Sequence, residues 1–226
     1  LFDLVFGGGK YGMEAVEYLL SRKRNFVVLD IDSKCLVAKN YDLTRINIKD
    51  IEKLRFRDEK DYFEGYFIEG GIFEALKVIE LLKPEHIFPT APIHLSAALI
   101  QEKFKLSPWF EGVDRVLPGL PSKIIVSAGR GSVVVTYNRD YECQPNCNAP
   151  ERCPVTGILK PAPMYRLLEF AAPNGFILQS HQLRPGIGAL KGNELELLVK
   201  WALGKKELII GTACKCHGVI TALKKL

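Results

Sequence analysis

The 226-residue chain is short of several things at once. It has two methionines and two tryptophans, and its 31 Lys+Arg outnumber 26 Asp+Glu by only five. So mild an excess builds no basic stripe of the kind nucleic acid requires, and no nucleic-acid partner is expected. Long apolar runs are missing as well. The longest uncharged stretch, His86 to Gln101, contains Pro89 and Pro92 and falls short of a membrane span. No signal peptide is visible, and because the chain opens at Leu1 rather than methionine, residues are expected upstream. Internal repeats and low-complexity tracts are also lacking. What remains is ordinary globular composition, 47% hydrophobic and 25% charged, which excludes disordered, collagen-like and coiled-coil chains. The length suits one large domain or two small ones, burying roughly 70–75% of the unfolded surface.

Against these shortages stand six cysteines. A core of this size needs no disulfide staples, and Cys214-Lys215-Cys216 is too tight for an easy internal bridge. With no sign of secretion, a reducing, cytoplasmic setting is expected, with thiols kept for metal or redox chemistry. They are grouped: Cys35 alone, then Cys143, Cys147 and Cys153, then Cys214 and Cys216.

Strands and helices alternate through the first half. Leu4-Val5-Phe6 is a short apolar run, and residues 13–23 carry Met13, Val16, Leu19 and Leu20 on one helical face. A second strand, Phe26 to Leu29, closes on Asp30-Ile31-Asp32. Arg45 to Ile48 alternates like a strand, whereas 51–64 is charge-rich and reads as helix or loop. A helix is predicted from Ile72 to Leu82, stopped by Pro84, then a strand at Ile87-Phe88 and a helix over 94–105. Such spacing predicts a parallel sheet with right-handed crossovers.

After the loop Leu117–Pro121, the runs Lys123–Ser127 and Ser132–Tyr137 read as a hairpin. Residues 141–163 hold five prolines and three cysteines with little periodicity. Helix Met164–Phe170, strand Phe176–Ser180, helix Asn193–Leu203, strand Leu208–Ile210 and a final helix over 219–225 are then expected. The predicted fold is α/β: a Rossmann-like parallel sheet flanked by helices, with an inserted β-hairpin and cysteine-rich loop. Residues 1–115 would form the nucleotide-binding domain. Residues 116–226 would either continue the same sheet or form a second small α/β domain.

Gly7-x-Gly9-x-x-Gly12 falls directly between a strand and a helix. In that setting the three glycines allow a tight turn, close approach of a pyrophosphate, and close helix–strand packing. The amides opening the helix would face phosphates, and Lys10 could add a cation. Asp30, at the end of the second strand, could accept both hydroxyls of an adenosine ribose and would repel a 2′-phosphate, favouring NAD over NADP. Thr90 and His94 follow a predicted strand at the edge where open α/β folds bind ligands, and His94 is an acid–base candidate.

The segments LVFGGGKYGMEAVEYLL and FVVLDID, within residues 3–48, resemble the nucleotide-binding RCK domains of potassium-channel regulators. The resemblance thins beyond about residue 90. It implies an adenine nucleotide on Gly7, Gly9, Gly12 and Asp30, bound as a ligand rather than turned over. A similar opening occurs in N-terminal domains of ATP-grasp enzymes, where it need not hold a dinucleotide.

Cys143, Cys147 and Cys153 lie in a loop too poor in apolar residues to order itself by burial, so a metal is expected to do so. Cys214 and Cys216, expected at a helix N-terminus that would lower their pKa, complete a candidate set for an iron–sulfur cluster or, alternatively, zinc. His217 is an alternative ligand, and Cys35 reads as a buried small hydrophobe. Arg184-Pro185-Gly186-Ile187-Gly188, leading to Lys191, could hold an anionic group. Together these predict an NAD- or FAD-binding protein with a cysteine-ligated metal site and a redox role, possessing a redox partner protein. The alternative is a nucleotide-sensing regulatory module with a structural zinc or redox-sensing thiols. A nicotinamide gives up two electrons as hydride while a cluster takes one, so direct exchange would need a flavin between them.

Overall fold

The computed structural model describes residues 1–55, 63–144 and 146–226. In chain order the elements begin β1 (Phe2–Phe6), α1 (Lys10–Ser21), β2 (Asn25–Asp30), α2 (Leu36–Asn40) and β3 (Thr44–Arg45). There follow α3 (Glu52–Arg55), β4 (Gly65–Glu69), α4 (Ile72–Leu82), β5 (His86–Pro89), α5 (Leu95–Phe104), β6 (Ser107–Pro108) and α6 (Phe110–Asp114). Next come β7 (Ile125–Gly129), β8 (Ser132–Thr136), α7 (Met164–Ala171), β9 (Phe176–Gln179), β10 (His181–Arg184) and β11 (Ile187–Lys191). The chain ends with α8 (Gly192–Ala202), β12 (Glu207–Ala213) and β13 (His217–Lys224). The expectation of helix or loop over 51–64 falls in part on 56–62, outside the described residues.

The architecture is mixed α/β, with two mixed sheets flanked by helices. One unit comprises Leu1–Leu95 with Ala189–Asn193, the other Ser96–Gly188 with Glu194–Leu226. The loop Leu117–Pro121, where a break was expected, lies inside the second unit.

In the first unit β3, β4, β2, β1 and β5 pair side by side, all parallel. β11 then adds antiparallel to β5 through Leu190 and Lys191. Leu4, Val5, Phe26, Val27, Val28, Leu29, Ile87 and Phe88 are at most 1% exposed. Strands covered on both faces bury every residue, which is why they read as unbroken apolar runs rather than alternations. α1 turns Ala15, Val16 and Leu19 inward. α4 starts where the Glu74 carboxylate accepts the Gly71 N–H at 2.8 Å and ends before Pro84, as its apolar stripe predicts.

The second unit corrects the single parallel sheet expected from the βα rhythm. Its strands form a separate sheet in the order β7-β8-β13-β12-β9. All its pairings are antiparallel except β12 with β9. The expected hairpin at β7–β8 is present, but as the edge of this sheet rather than an insertion. Val133 and Val135 are 1% exposed while Val134 between them is 39% exposed, the alternation of a sheet with one face packed. That face meets α6 and α7 through Trp109, Val113, Met164 and Leu168.

The last element is the other correction. Residues 219–225 form no helix: His217–Lys224 is a strand in continuous seven-residue register with β12. Short apolar runs do not distinguish helix from strand by periodicity alone. Here the β-branched sequence Val219-Ile220-Thr221 suits a pleated surface better than a helix.

Candidate functional site

Two separate places gather the candidate residues, one in each unit. In the first, β1 ends at the glycine loop. Gly7 has φ +111°, and a Cβ there would lie 2.6 Å from the Ala91 nitrogen. A Cβ on Gly12 would overlap the carbonyl oxygen of Gly7, and one on Gly8 the Cys35 sulfur. Gly9 differs: among the described residues, its chain neighbours aside, no group stands within 4 Å of its Cβ position, and its φ is an ordinary −78°. Three glycines are closed against the protein and one faces open space.

Hydrogen bonds hold the loop rigid. The Asp30 carboxylate accepts the Gly8 N–H at 2.5 Å with one oxygen and the Asp32 N–H at 2.8 Å with the other. Each oxygen keeps a second lone pair for another donor. The Thr90 hydroxyl donates to the Gly7 and Phe6 carbonyls, and the Gly70 N–H donates to the Asp30 carbonyl at 2.9 Å. Thr90 therefore braces the loop. Lys10 is exposed, and the first turn of α1 carries no acidic residue to compete with an anion. Ile31, 79% exposed, follows Asp30, with Gly71 beside it. His94 stands beyond β5, its imidazole pushed down to about 3 by burial and so neutral at pH 7. Cys35 is buried, as expected, and burial pushes its thiol up.

Among the described residues of this unit one group has metal-like spacing, Asp3 with Glu85 and His86. The Arg24 guanidinium already bonds both carboxylates there, so the group is an ion-pair network.

The second place is built on the turn between β12 and β13. Cys214 and Cys216 occupy this hairpin turn rather than a helix N-terminus, because β13 replaces the expected helix. Met164 and Tyr165 donate backbone N–H groups to the Lys215 and Cys214 carbonyls, and Tyr137 donates to that of Cys216. The cysteine-rich loop is thus pinned at both ends to the turn.

The Cys214 sulfur accepts the N–H groups of Cys216 and His217, each at 3.3 Å. His217 stands between two thiols, its Nδ1 3.6 Å from Cys214 and its Nε2 3.4 Å from Cys143. Ala149 donates its N–H to the Cys147 sulfur at 3.3 Å, and Lys160 Nζ lies 3.3 Å from the Cys216 sulfur. Burial works against ionising Cys214, but His217 and the two amides outweigh it and hold the thiol below its ordinary range. Cys153 is likewise lowered: burial opposes, while the Thr156 hydroxyl, the amides of Thr156 and Val155, and Lys160 prevail. Burial pushes Cys216 up, and the hydrogen bond to Cys214 raises His217.

These groups share a neighbourhood without closing into a tight ligand set. Among the described residues no three sulfur or imidazole ligand atoms here lie within 4.8 Å of one another. The Arg184–Gly188 segment is the turn joining β10 to β11. Lys160 and Asn138 escaped sequence reasoning, since neither belongs to a motif and their contacts exist only in the folded loop.

The fold and both sites define a two-domain α/β protein with a glycine-rich loop in one domain and a thiol-rich turn in the other. Two family models cover it. One, described as the N-terminal domain of an uncharacterised protein, matches residues 2–95, and its C-terminal counterpart matches 96–226. A relative from Archaeoglobus fulgidus (strain ATCC 49558), also described as an uncharacterised protein, is 48% identical over 224 residues, 99% of each chain. The chain belongs to this family, AF_1314. No solved structure matches it at a significant level. The resemblance to RCK domains is thereby corrected: both matches are to this family's own domains, and no RCK or Rossmann family is found. A strand–glycine–helix opening is short enough to be shared by unrelated chains. No described helix is long and apolar enough to cross a membrane.

Proposed function

We propose that the first unit binds an adenine nucleotide of the NAD or FAD type, in a protein with a redox-related role. The observation that carries this reading is Gly9. The other loop glycines exclude a side chain because protein fills the space, whereas Gly9 has none and yet, among the described residues, lacks any neighbour that would demand glycine. A pyrophosphate approaching the backbone at the start of α1 supplies that demand. The strand order β4-β2-β1-β5 supports the reading as geometry rather than kinship, since the loop leaves β1 where the order reverses. Asp30 would take the ribose hydroxyls with its remaining lone pairs, and Ile31 would offer the adenine an apolar wall.

Titration calorimetry with NADH, NADPH and FAD tests this, using Gly9→Thr as the decisive variant. Threonine caps a helix about as well as glycine, and the backbone at Gly9 accepts any residue, so stability should hold within about 0.5 kcal/mol. A side chain intruding on a packed site costs about 1–3 kcal/mol, so affinity should fall roughly ten- to a hundredfold. Wild-type protein that binds none of the three, or Gly9→Thr that binds unchanged, rejects the proposal. A redox enzyme and a nucleotide-sensing module share this binding step; NADH oxidation with an artificial electron acceptor separates them.

A further inference from the structure

We infer that Cys143 is a reactive thiol that reduces small hydroperoxides, with His217 as its base and with Cys214 and Asn138 positioning the pair. The inference is independent of the nucleotide site.

Strand pairing puts the base in place. His217 opens β13 directly opposite Thr136, the last residue of β8. The chain leaving β8 is tied there at once, because the Tyr137 N–H donates to the Cys216 carbonyl at 3.1 Å. Asn138 follows, 5% exposed, and donates its Nδ2 to the Cys143 sulfur at 3.4 Å. The His217 Nε2 also lies 3.4 Å from that sulfur. Two side chains anchored by the β8–β13 pairing thus hold an exposed thiol that belongs to an irregular loop.

Cys214 orients the other imidazole nitrogen. Nδ1 lies 3.6 Å from the Cys214 sulfur, which already accepts the N–H groups of Cys216 and His217 at 3.3 Å each. Three donors directed at one sulfur suit a thiolate. An Nδ1–H held there leaves the Nε2 lone pair facing Cys143. Nucleophile, base and orienting group then stand in the order that activates a thiol. The hydrogen bond to Cys214 is also the foremost influence raising His217; Cys153 adds to it, while burial and Lys160 oppose it. A stronger base takes the thiol proton more readily.

The surroundings choose the electrophile. Of the six cysteines Cys143 alone is exposed, so a molecule arriving from solvent meets it first. A carbonyl substrate would need N–H donors for its oxyanion. The amides of Ala149, Cys216 and His217 are committed to sulfur instead, the first to Cys147 and the others to Cys214. A hydroperoxide asks for a thiolate and for a proton on the departing oxygen, and His217 serves both needs.

In the reaction Nε2 takes the Cys143 proton, and the sulfur attacks the terminal oxygen of the hydroperoxide. The S–O bond forms as the O–O bond breaks, and the electron pair leaves on the departing oxygen, which takes the proton from His217. Sulfur is oxidised to a sulfenic acid and the peroxide is reduced to an alcohol, or to water from hydrogen peroxide. A small thiol then displaces water to give a mixed disulfide, and a second small thiol releases Cys143 and the oxidised disulfide.

The test uses the full chain, reduced and then freed of reductant. Substoichiometric iodoacetamide at neutral pH, mapped by peptide mass spectrometry, should label Cys143 first. Its rate should be roughly ten- to thirtyfold above that in the urea-unfolded chain, since an unassisted thiol is only a few per cent thiolate there. His217→Gln should lose this advantage at neutral pH and recover the wild-type rate at about pH 10, where an exposed thiol ionises unaided. Cys214→Ser should slow the reaction with the same recovery. With hydrogen peroxide and dimedone the sulfenic adduct should form on Cys143, and dithiothreitol should sustain peroxide consumption that Cys143→Ser abolishes. Labelling of wild-type protein decides the matter even if a variant fails to fold. The proposal is overturned by another cysteine labelled first, by Cys143 no faster folded than unfolded, or by no dimedone adduct on Cys143. It is equally overturned if His217→Gln matches the wild type at neutral pH or is slower by one factor at every pH.

Discussion

Asp3→Ala should lower the stability of the first unit by about 3 kcal/mol, the lower end of the cost of breaking a buried ion pair. Asp3 is 1% exposed and accepts Arg24 Nε at 2.8 Å and Nη2 at 3.1 Å. It also accepts the His86 backbone N–H at 2.9 Å, with the imidazole Nδ1 at 3.2 Å. One carboxylate thus ties the N-terminal ends of β1 and β5 to the residue that precedes β2. Alanine leaves Arg24 with only the Glu85 carboxylate and strands a backbone donor. Because the Arg24 side chain is 27% exposed, water recovers part of its solvation, which keeps the loss at the low end. Thermal unfolding followed by circular dichroism should show the midpoint falling by roughly 10–20 °C. A change below about 1 kcal/mol would mean the network is not a keystone of this unit. The network also sets a direction for acid unfolding. Arg24 holds the Glu85 carboxyl below its ordinary range. Its contribution is therefore present above the unfolded value of about 4.3 and is lost as pH falls through the lower folded value. Glu85 is 44% exposed, so that contribution is small.

Gly12→Ala should destabilise the same unit by about 3 kcal/mol, the top of the usual overpacking range. Its Cβ would overlap the Gly7 carbonyl oxygen, which belongs to backbone and cannot rotate aside. That oxygen is also fixed by the Thr90 hydroxyl at 2.7 Å. Relief requires separating α1 from β1, which would uncover Ala15, Val16 and Leu19. Urea titration of Gly12→Ala against Gly9→Thr checks that the two glycines play separate roles. Gly12→Ala should shift the midpoint strongly and Gly9→Thr hardly at all, while Gly9→Thr alone removes ligand from a protein of normal stability. Equal midpoints for the two variants contradict a closed Gly12 and an open Gly9.

These two effects differ in how much of them the residues announce. The role of Gly12 is readable because its spacing from Gly7 across a strand–helix junction leaves few ways to pack. The role of Asp3 is not. Arg24 and His86 are 21 and 83 positions away, and the bonds appear only when parallel pairing brings β1 beside β5. The thiol site divides the same way. Its cysteines announce themselves by grouping, but the 219–225 reading set the last pair on the wrong element. A run of Val, Ile, Thr and Ala next to one polar edge satisfies either period, and only pairing with β12 decides between them. The consequence is chemical: the amides lowering Cys214 come from a hairpin turn, and His217 follows on the same strand.

What the chain settles by itself is local. Residues near in sequence make the strand–glycine–helix opening, the stripe of α4, the hairpin of β7 with β8, and a loop rich in proline and thiols with no apolar core. The scarcity of long apolar runs and of one-sided charge is of the same kind, since it depends on composition alone. The tertiary structure decided that the second half forms its own, mostly antiparallel sheet, and that Lys160, Asn138 and His217 stand among the cysteines. It also decided that Gly9 alone of the loop glycines faces open space. Pairing partners and empty volumes depend on residues scores of positions apart, and short-range patterns carry no record of them.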